Sequence, residues 1–73
     1  MDKDEEARAY HESFEAFMGM QNVIKMLQKA YGDAYSAGDG DSEKSRNLLA
    51  MEETLRKAAK LLGAALDRTQ PKE

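Results

Sequence analysis

Apolar side chains recur every three or four residues between positions 10 and 35, and no proline interrupts them. This spacing places them along one side of an α-helix. We therefore predict a first helix over about residues 4–35, roughly 45 Å long at 1.5 Å per residue. The apolar stripe along this helix consists of Tyr10, Phe17, Met20, Ile24, Leu27, Tyr31 and Ala34.

A second apolar stripe lies one step round the same helix, at Ala16, Gly19, Val23, Met26 and Ala30. It is either the margin of one broad core face or a contact surface for another helix. We favour the second interpretation, because small residues allow close approach and the methionines at 18 and 26 adapt to a partner's shape. The predicted protein interface is Ala16, Met18, Gly19, Val23, Met26 and Ala30.

Residues 36–41 are the clear break in the pattern, since two glycines, two aspartates and a serine are typical of a surface turn. Gly38 is suited to a left-handed helix C-cap, and either Asp41 or Ser42 is suited to cap the next helix. That second helix is predicted over about residues 42–67, followed by a flexible tail at 68–73 that contains Pro71. Its predicted core stripe is Leu48, Met51, Leu55, Ala58, Leu62 and Ala65.

A short turn between two long helices predicts antiparallel neighbours. Charge favours this too, since residues 1–20 carry two basic and six acidic side chains and the end of the second helix is basic. The pairs Glu52–Arg56 and Glu53–Lys57 are expected on the outer face of the second helix. The predicted fold class is thus all-α, a single hairpin domain over residues 1–73.

A chain of 73 residues buries only about 60% of its unfolded surface, and this one has no cysteine for disulfides. We therefore expect dimerisation or a partner protein to complete the hairpin to a four-helix bundle. The layout resembles that of small plasmid-copy regulators that dimerise as hairpins. It also resembles that of two-helix co-chaperones of type III secretion needle subunits. Both resemblances are of architecture and imply no particular functional residue.

The sequence lacks the residue patterns that most chemical functions require. One histidine and no cysteine disfavour a zinc site, and the segment 39–43 lacks the glycine and glutamate spacing of a calcium loop. No nucleophile motif or phosphate-binding loop is present, so we expect no enzyme activity, metal, cofactor or small-molecule substrate. The acidic amino terminus and the short apolar runs argue against a signal peptide or membrane span and suggest a cytoplasmic protein.

The expected function is that of a small non-enzymatic interaction module, an adaptor, regulator or inhibitor, which binds a partner protein through helix–helix contacts. The partner would be a second copy or another helical protein. One alternative is a co-chaperone of a secretion-system or other helical subunit, stable only in a hetero-complex. A second is a dimeric RNA-binding regulator, although the net charge of −3 disfavours nucleic acid. Its basic surface would be Lys44, Arg46, Arg56, Lys57 and Lys60.

Overall fold

The computed structural model describes residues 3–69, which form two antiparallel α-helices joined by a turn. Helix α1 spans Lys3–Ser36 and helix α2 spans Glu43–Thr69. The hairpin is slender, with extents of 53 × 15 × 14 Å. The predicted all-α hairpin is confirmed in this part of the chain. The predicted tail began at residue 68, whereas α2 continues through Thr69, and residues 70–73 of that tail lie outside the described residues.

Helix α1 ends in a glycine cap, at the position that the sequence indicates. Gly38 has a φ of 82°, a left-handed conformation that residues with a Cβ rarely adopt. Its N–H donates to the carbonyl of Tyr35 at 3.0 Å, and the N–H of Asp39 donates to the carbonyl of Ala34 at 2.9 Å. These two bonds form a Schellman motif, which satisfies carbonyls that the end of the helix would leave unpaired. The predicted C-cap at Gly38 is confirmed.

Helix α2 begins at a serine cap that also fastens the turn. The N–H of Ser45 donates to Ser42 Oγ at 3.1 Å, so Ser42 rather than Asp41 is the N-cap. The Ser42 hydroxyl donates to Ser45 Oγ at 3.2 Å, and the Ser45 hydroxyl donates to the carbonyl of Asp39 at 2.6 Å. Ser45 is fully buried. The turn is therefore held against the first turn of α2 by a chain of hydrogen bonds.

The helices meet along a seam in which buried residues of α2 recur every seven positions. These are Ser45, Glu52, Ala59 and Leu66, with Leu48, Leu55 and Leu62 half-buried between them. This seven-residue repeat is that of a coiled-coil seam. The described residues contain three buried apolar side chains, namely Ile24 of α1 with Ala59 and Leu66 of α2. The core within one hairpin is therefore small.

The predicted core stripe of α2 included Met51, and this assignment is wrong because Met51 is 51% exposed. The seam contains Glu52 and Ala59 in place of the predicted Met51 and Ala58, each one residue further along the helix. Two of its positions hold the polar residues Ser45 and Glu52, so the apolar pattern alone points to one side of the true seam. The neighbouring prediction that Glu52 lies on the outer face is wrong for the same reason, since Glu52 is only 3% exposed.

Two contacts across the seam fix which residues of the helices lie side by side. Gln28 Nε2 donates to Glu52 Oε1 at 3.3 Å. A Cβ placed on Gly63 would stand 3.0 Å from the ring of Phe17, so the glycine lets this ring approach the α2 backbone. The residue numbers of both pairs, 28 with 52 and 17 with 63, add to 80. A residue n of α1 therefore lies level with residue 80−n of α2.

Candidate protein-interaction surface

The second stripe of α1 lies outside the core of the hairpin. Successive residues of a helix are about 100° apart, which places Val23 about 70° to one side of the seam direction between Ile24 and Leu27. Val23 is 43% exposed and Met26 is 68% exposed. Ala16 and Gly19 are also exposed, and Ala30 is half-buried. The stripe thus presents apolar surface that the chain itself leaves uncovered.

Helix α2 contributes a matching stripe on the same side of the hairpin. An apolar groove of about 470 Å³ runs between the helices there. It is lined by Val23, Leu27, Ala50, Met51, Thr54, Leu55 and Ala58. Helical spacing extends this side of α2 to Leu61, which is 73% exposed, and to Ala65. Residues from both helices therefore form one continuous surface.

We call this surface the open face. It consists of Ala16, Gly19, Val23, Met26 and Ala30 on α1 and of Met51, Thr54, Ala58, Leu61 and Ala65 on α2. All ten positions hold uncharged residues, and four of them are large apolar side chains that are 43–73% exposed. Single exposed apolar residues are ordinary, but a contiguous group of them is typical of an interaction site.

The structure brings five of the six predicted interface residues onto the open face and leaves out the sixth. Met18 is 48% exposed. It lies about 120° round α1 from the middle of the α1 stripe, and so points away from that surface. Its assignment to the same interface followed from its residue type rather than from its helical position. The role of the other five as an interface stays a prediction.

The centre of the opposite flank, which we call the polar flank, is a hydrogen-bonded polar cluster, and helical spacing places the exposed side chains of Phe14 (45%), Tyr35 (68%) and Leu49 (37%) on the same side towards its ends. Gln28, about 70° to the other side of the α1 seam, bonds the buried carboxylate of Glu52. Arg56 donates to the same carboxylate through Nε at 2.8 Å and through Nη2 at 2.5 Å. In residues 3–69 no buried side-chain nitrogen or oxygen lacks a hydrogen-bond partner. The buried polar groups of this flank therefore need no second chain.

The contacts on the polar flank also shift two ionisation equilibria. The hydrogen bond from Arg56 is the largest cause of a lowered pKa at Glu52, and the bond from Gln28 and the charge of Arg56 act in the same direction. Burial opposes them but does not prevail. The bond to Glu52 and its charge in turn raise the pKa of Arg56. Both groups are held in their charged forms, so the ion pair persists at neutral pH.

Other candidate sites gain less support from the geometry. Among residues 3–69, no group of three or more histidine, cysteine, aspartate or glutamate side chains is placed to hold a metal ion. Neither described helix combines the length and apolar content needed to cross a membrane. In the proposed basic surface, Arg56 forms an ion pair with Glu52, while helical spacing keeps Arg46, Lys57 and Lys60 on the same side of α2. Lys44, seven residues before Met51, lies instead towards the end of the open face.

Sequence reasoning missed the contribution of α2 to the open face. Met51 and Ala58 were assigned to the core, while Thr54 and Leu61 were assigned no role. The signal was present, because residues 51, 54, 58, 61 and 65 repeat the three-and-four spacing of the second stripe of α1.

Comparison of the chain with protein-family models, characterised proteins and solved structures finds no match.

Proposed function

We propose that this protein is a small non-enzymatic interaction module that acts by binding a helical partner protein through the open face. The observation that carries this proposal is the uncharged apolar groove that both helices line on the open face. The buried polar groups of the polar flank, in contrast, are hydrogen-bonded within the chain. A partner that lays helices on the open face would complete a four-helix bundle. An adaptor, regulator or inhibitor would act in this way, and we expect it in the cytoplasm.

The exposed side chains are large enough to support moderate binding. Complete burial of one large apolar side chain contributes about 1.5–3 kcal/mol. Val23, Met26, Met51 and Leu61 are already partly buried, so covering the remainder contributes about 5 kcal/mol from this chain. Association costs about 4–15 kcal/mol in lost freedom of motion. The partner must therefore supply a comparable apolar surface of its own, as a helical protein with an amphipathic face does.

A co-chaperone would use the same face with a different occupant. It would cover an exposed helix of its client, and the client would complete the core of the hairpin. The RNA-binding alternative draws less support, because Arg56 is engaged by Glu52 and Lys44 lies apart from the other basic residues of α2.

Site-specific photo-crosslinking in the native host tests the proposal. A photoreactive amino acid at Val23 stands on the open face, whereas the same group at Asn22 stands about 100° away on the outer surface of α1. We expect protein adducts from position 23 and few or none from position 22, with mass spectrometry identifying the adduct as a second copy or another protein. Absence of adducts at position 23, or equal adducts at both positions, would refute binding through this face.

A further inference from the structure

We infer that the occupant of the open face is a second copy of this chain, related to the first by a two-fold axis parallel to the helices. This inference rests on the proposed function and specifies its partner and geometry. In such a dimer α2 of each copy lies over α1 of the other. A rotation about an axis parallel to the helices keeps every residue at its own level. The pairing across the interface therefore follows from the register within one hairpin.

Side-chain sizes alternate across this interface. Gly19 lies level with Leu61, because their numbers add to 80. In one hairpin they lie on opposite edges of the open face, where Leu61 is 73% exposed and nothing stands within 4 Å of a Cβ built on Gly19. The rotation places Leu61 of one copy over Gly19 of the other. At the next level Met26 of one copy meets Thr54 of the other, so a larger side chain again faces a smaller one.

Charge favours the same orientation. Within the described helices, α1 carries four basic and six acidic residues, a net charge of −2, and α2 carries six basic and four acidic residues, a net charge of +2. Placing α1 against α2 of the second copy brings opposite charges together. Glu12 lies on the same edge as Gly19 and is level with Arg68, so the two residues face each other across the interface. A two-fold axis perpendicular to the helices would instead set like-charged helices side by side.

The exposed surface of the chain is large enough for a stable dimer. A folded monomer of 8.2 kDa exposes about 4500 Å² on the usual scaling of surface with mass. This chain exposes 6004 Å², an excess of roughly 1500 Å², whereas a standard interface buries about 800 Å² per partner. A dimer through the open face thus requires about half of this excess, part of which the slender shape of the hairpin itself produces.

A matched pair of glycine substitutions tests whether Gly19 is covered. Gly19 and Gly32 both lie within α1 with no neighbour within 4 Å of an added Cβ, and only Gly19 is on the open face. Leucine favours the helix at either position. We expect G32L to leave the dimer dissociation constant near that of the wild type, and G19L to raise it by at least roughly tenfold through overpacking against Leu61. Equal dissociation constants for the two variants would overturn the inference.

Cysteine cross-linking tests the orientation, since the chain has no cysteine of its own. G19C and L61C proteins are mixed in a glutathione buffer, and disulfide-linked dimers are separated and identified by mass. The inferred geometry predicts mainly mixed G19C–L61C dimers. Mainly G19C–G19C and L61C–L61C dimers would overturn the orientation and leave self-association standing. A wild-type protein that stays monomeric, with adducts at Val23 formed only to another protein, would overturn the second copy as partner but not the proposed function.

Discussion

Replacing the adjacent residues Ile24 and Val23 by alanine separates the core within one hairpin from the open face. Ile24 is 5% exposed and Val23 is 43% exposed. Truncating Ile24 removes three almost fully buried carbons at about 0.8 kcal/mol each. Alanine has the better helix propensity by up to about 0.7 kcal/mol, so the net loss of unfolding free energy is about 2 kcal/mol. Truncating Val23 removes two half-buried carbons, and the net change in a single hairpin stays within about 0.5 kcal/mol of zero.

The two variants should also differ in how their stability depends on protein concentration. When a second chain covers the open face, Val23 loses its remaining exposure, and its truncation then costs about 1 kcal/mol more. Urea denaturation followed by far-ultraviolet circular dichroism, at protein concentrations a hundredfold apart, measures this. We expect I24A to lower the midpoint at both concentrations and V23A to lower it only at the higher one. If V23A is as destabilising as I24A at the lower concentration, Val23 belongs to the core of the single hairpin and the reasoning fails.

Three further changes have expected outcomes that follow from single features of the hairpin. G38A should lower the unfolding free energy by about 1 kcal/mol, because alanine is strained at a φ of 82°. G32A should raise it by about 0.5–1 kcal/mol, since an added Cβ there meets open space. Shifts of the melting temperature with the same sign in both variants would contradict this. S42A should cost about 1 kcal/mol in urea denaturation through loss of the N-cap bond, and an unchanged midpoint would show that the cap contributes nothing. Because the pKa of Glu52 is lowered in the folded state, its ionised carboxylate stabilises the fold at pH values above the ordinary pKa of 4.5. This contribution is lost as pH falls through the lower pKa of the folded state. E52Q should therefore lose less stability than the wild type between about pH 5 and pH 3, and parallel pH profiles would count against the ion pair.

The hairpin could be predicted because its signals are local in sequence. The stripe through Phe17 and Ile24 extends over the length of α1, and the turn residues around Gly38 stop the helix where the structure does. The position of the α2 seam was harder to predict, because Ser45 and Glu52 occupy buried seam positions. Their burial depends on contacts that periodicity does not reveal, namely the Asp39 carbonyl for Ser45 and the side chains of α1 and α2 for Glu52.

The open face was predictable on α1 and not on α2. The stripe through Gly19 and Val23 lies beside a clear core stripe on α1. The helix therefore carries more apolar residues than one core face needs. On α2, Met51 and Ala58 are predicted as core residues, because apolar residues lie on both sides of the seam. That residues of both helices form one surface is shown only by the folded hairpin, in which they line a single groove.

The central claim is that a second copy of the chain covers the open face. Solution mass by light scattering across a concentration series, with helicity recorded on the same samples, tests it most directly. We predict a highly helical protein whose mass approaches twice 8.2 kDa as its concentration rises, with a melting temperature that rises in step. A monomer of 8.2 kDa at every concentration, with full helicity and a sharp melting transition that does not depend on concentration, would contradict the claim. Such a protein would be a stable single hairpin whose open face does not bind a second copy.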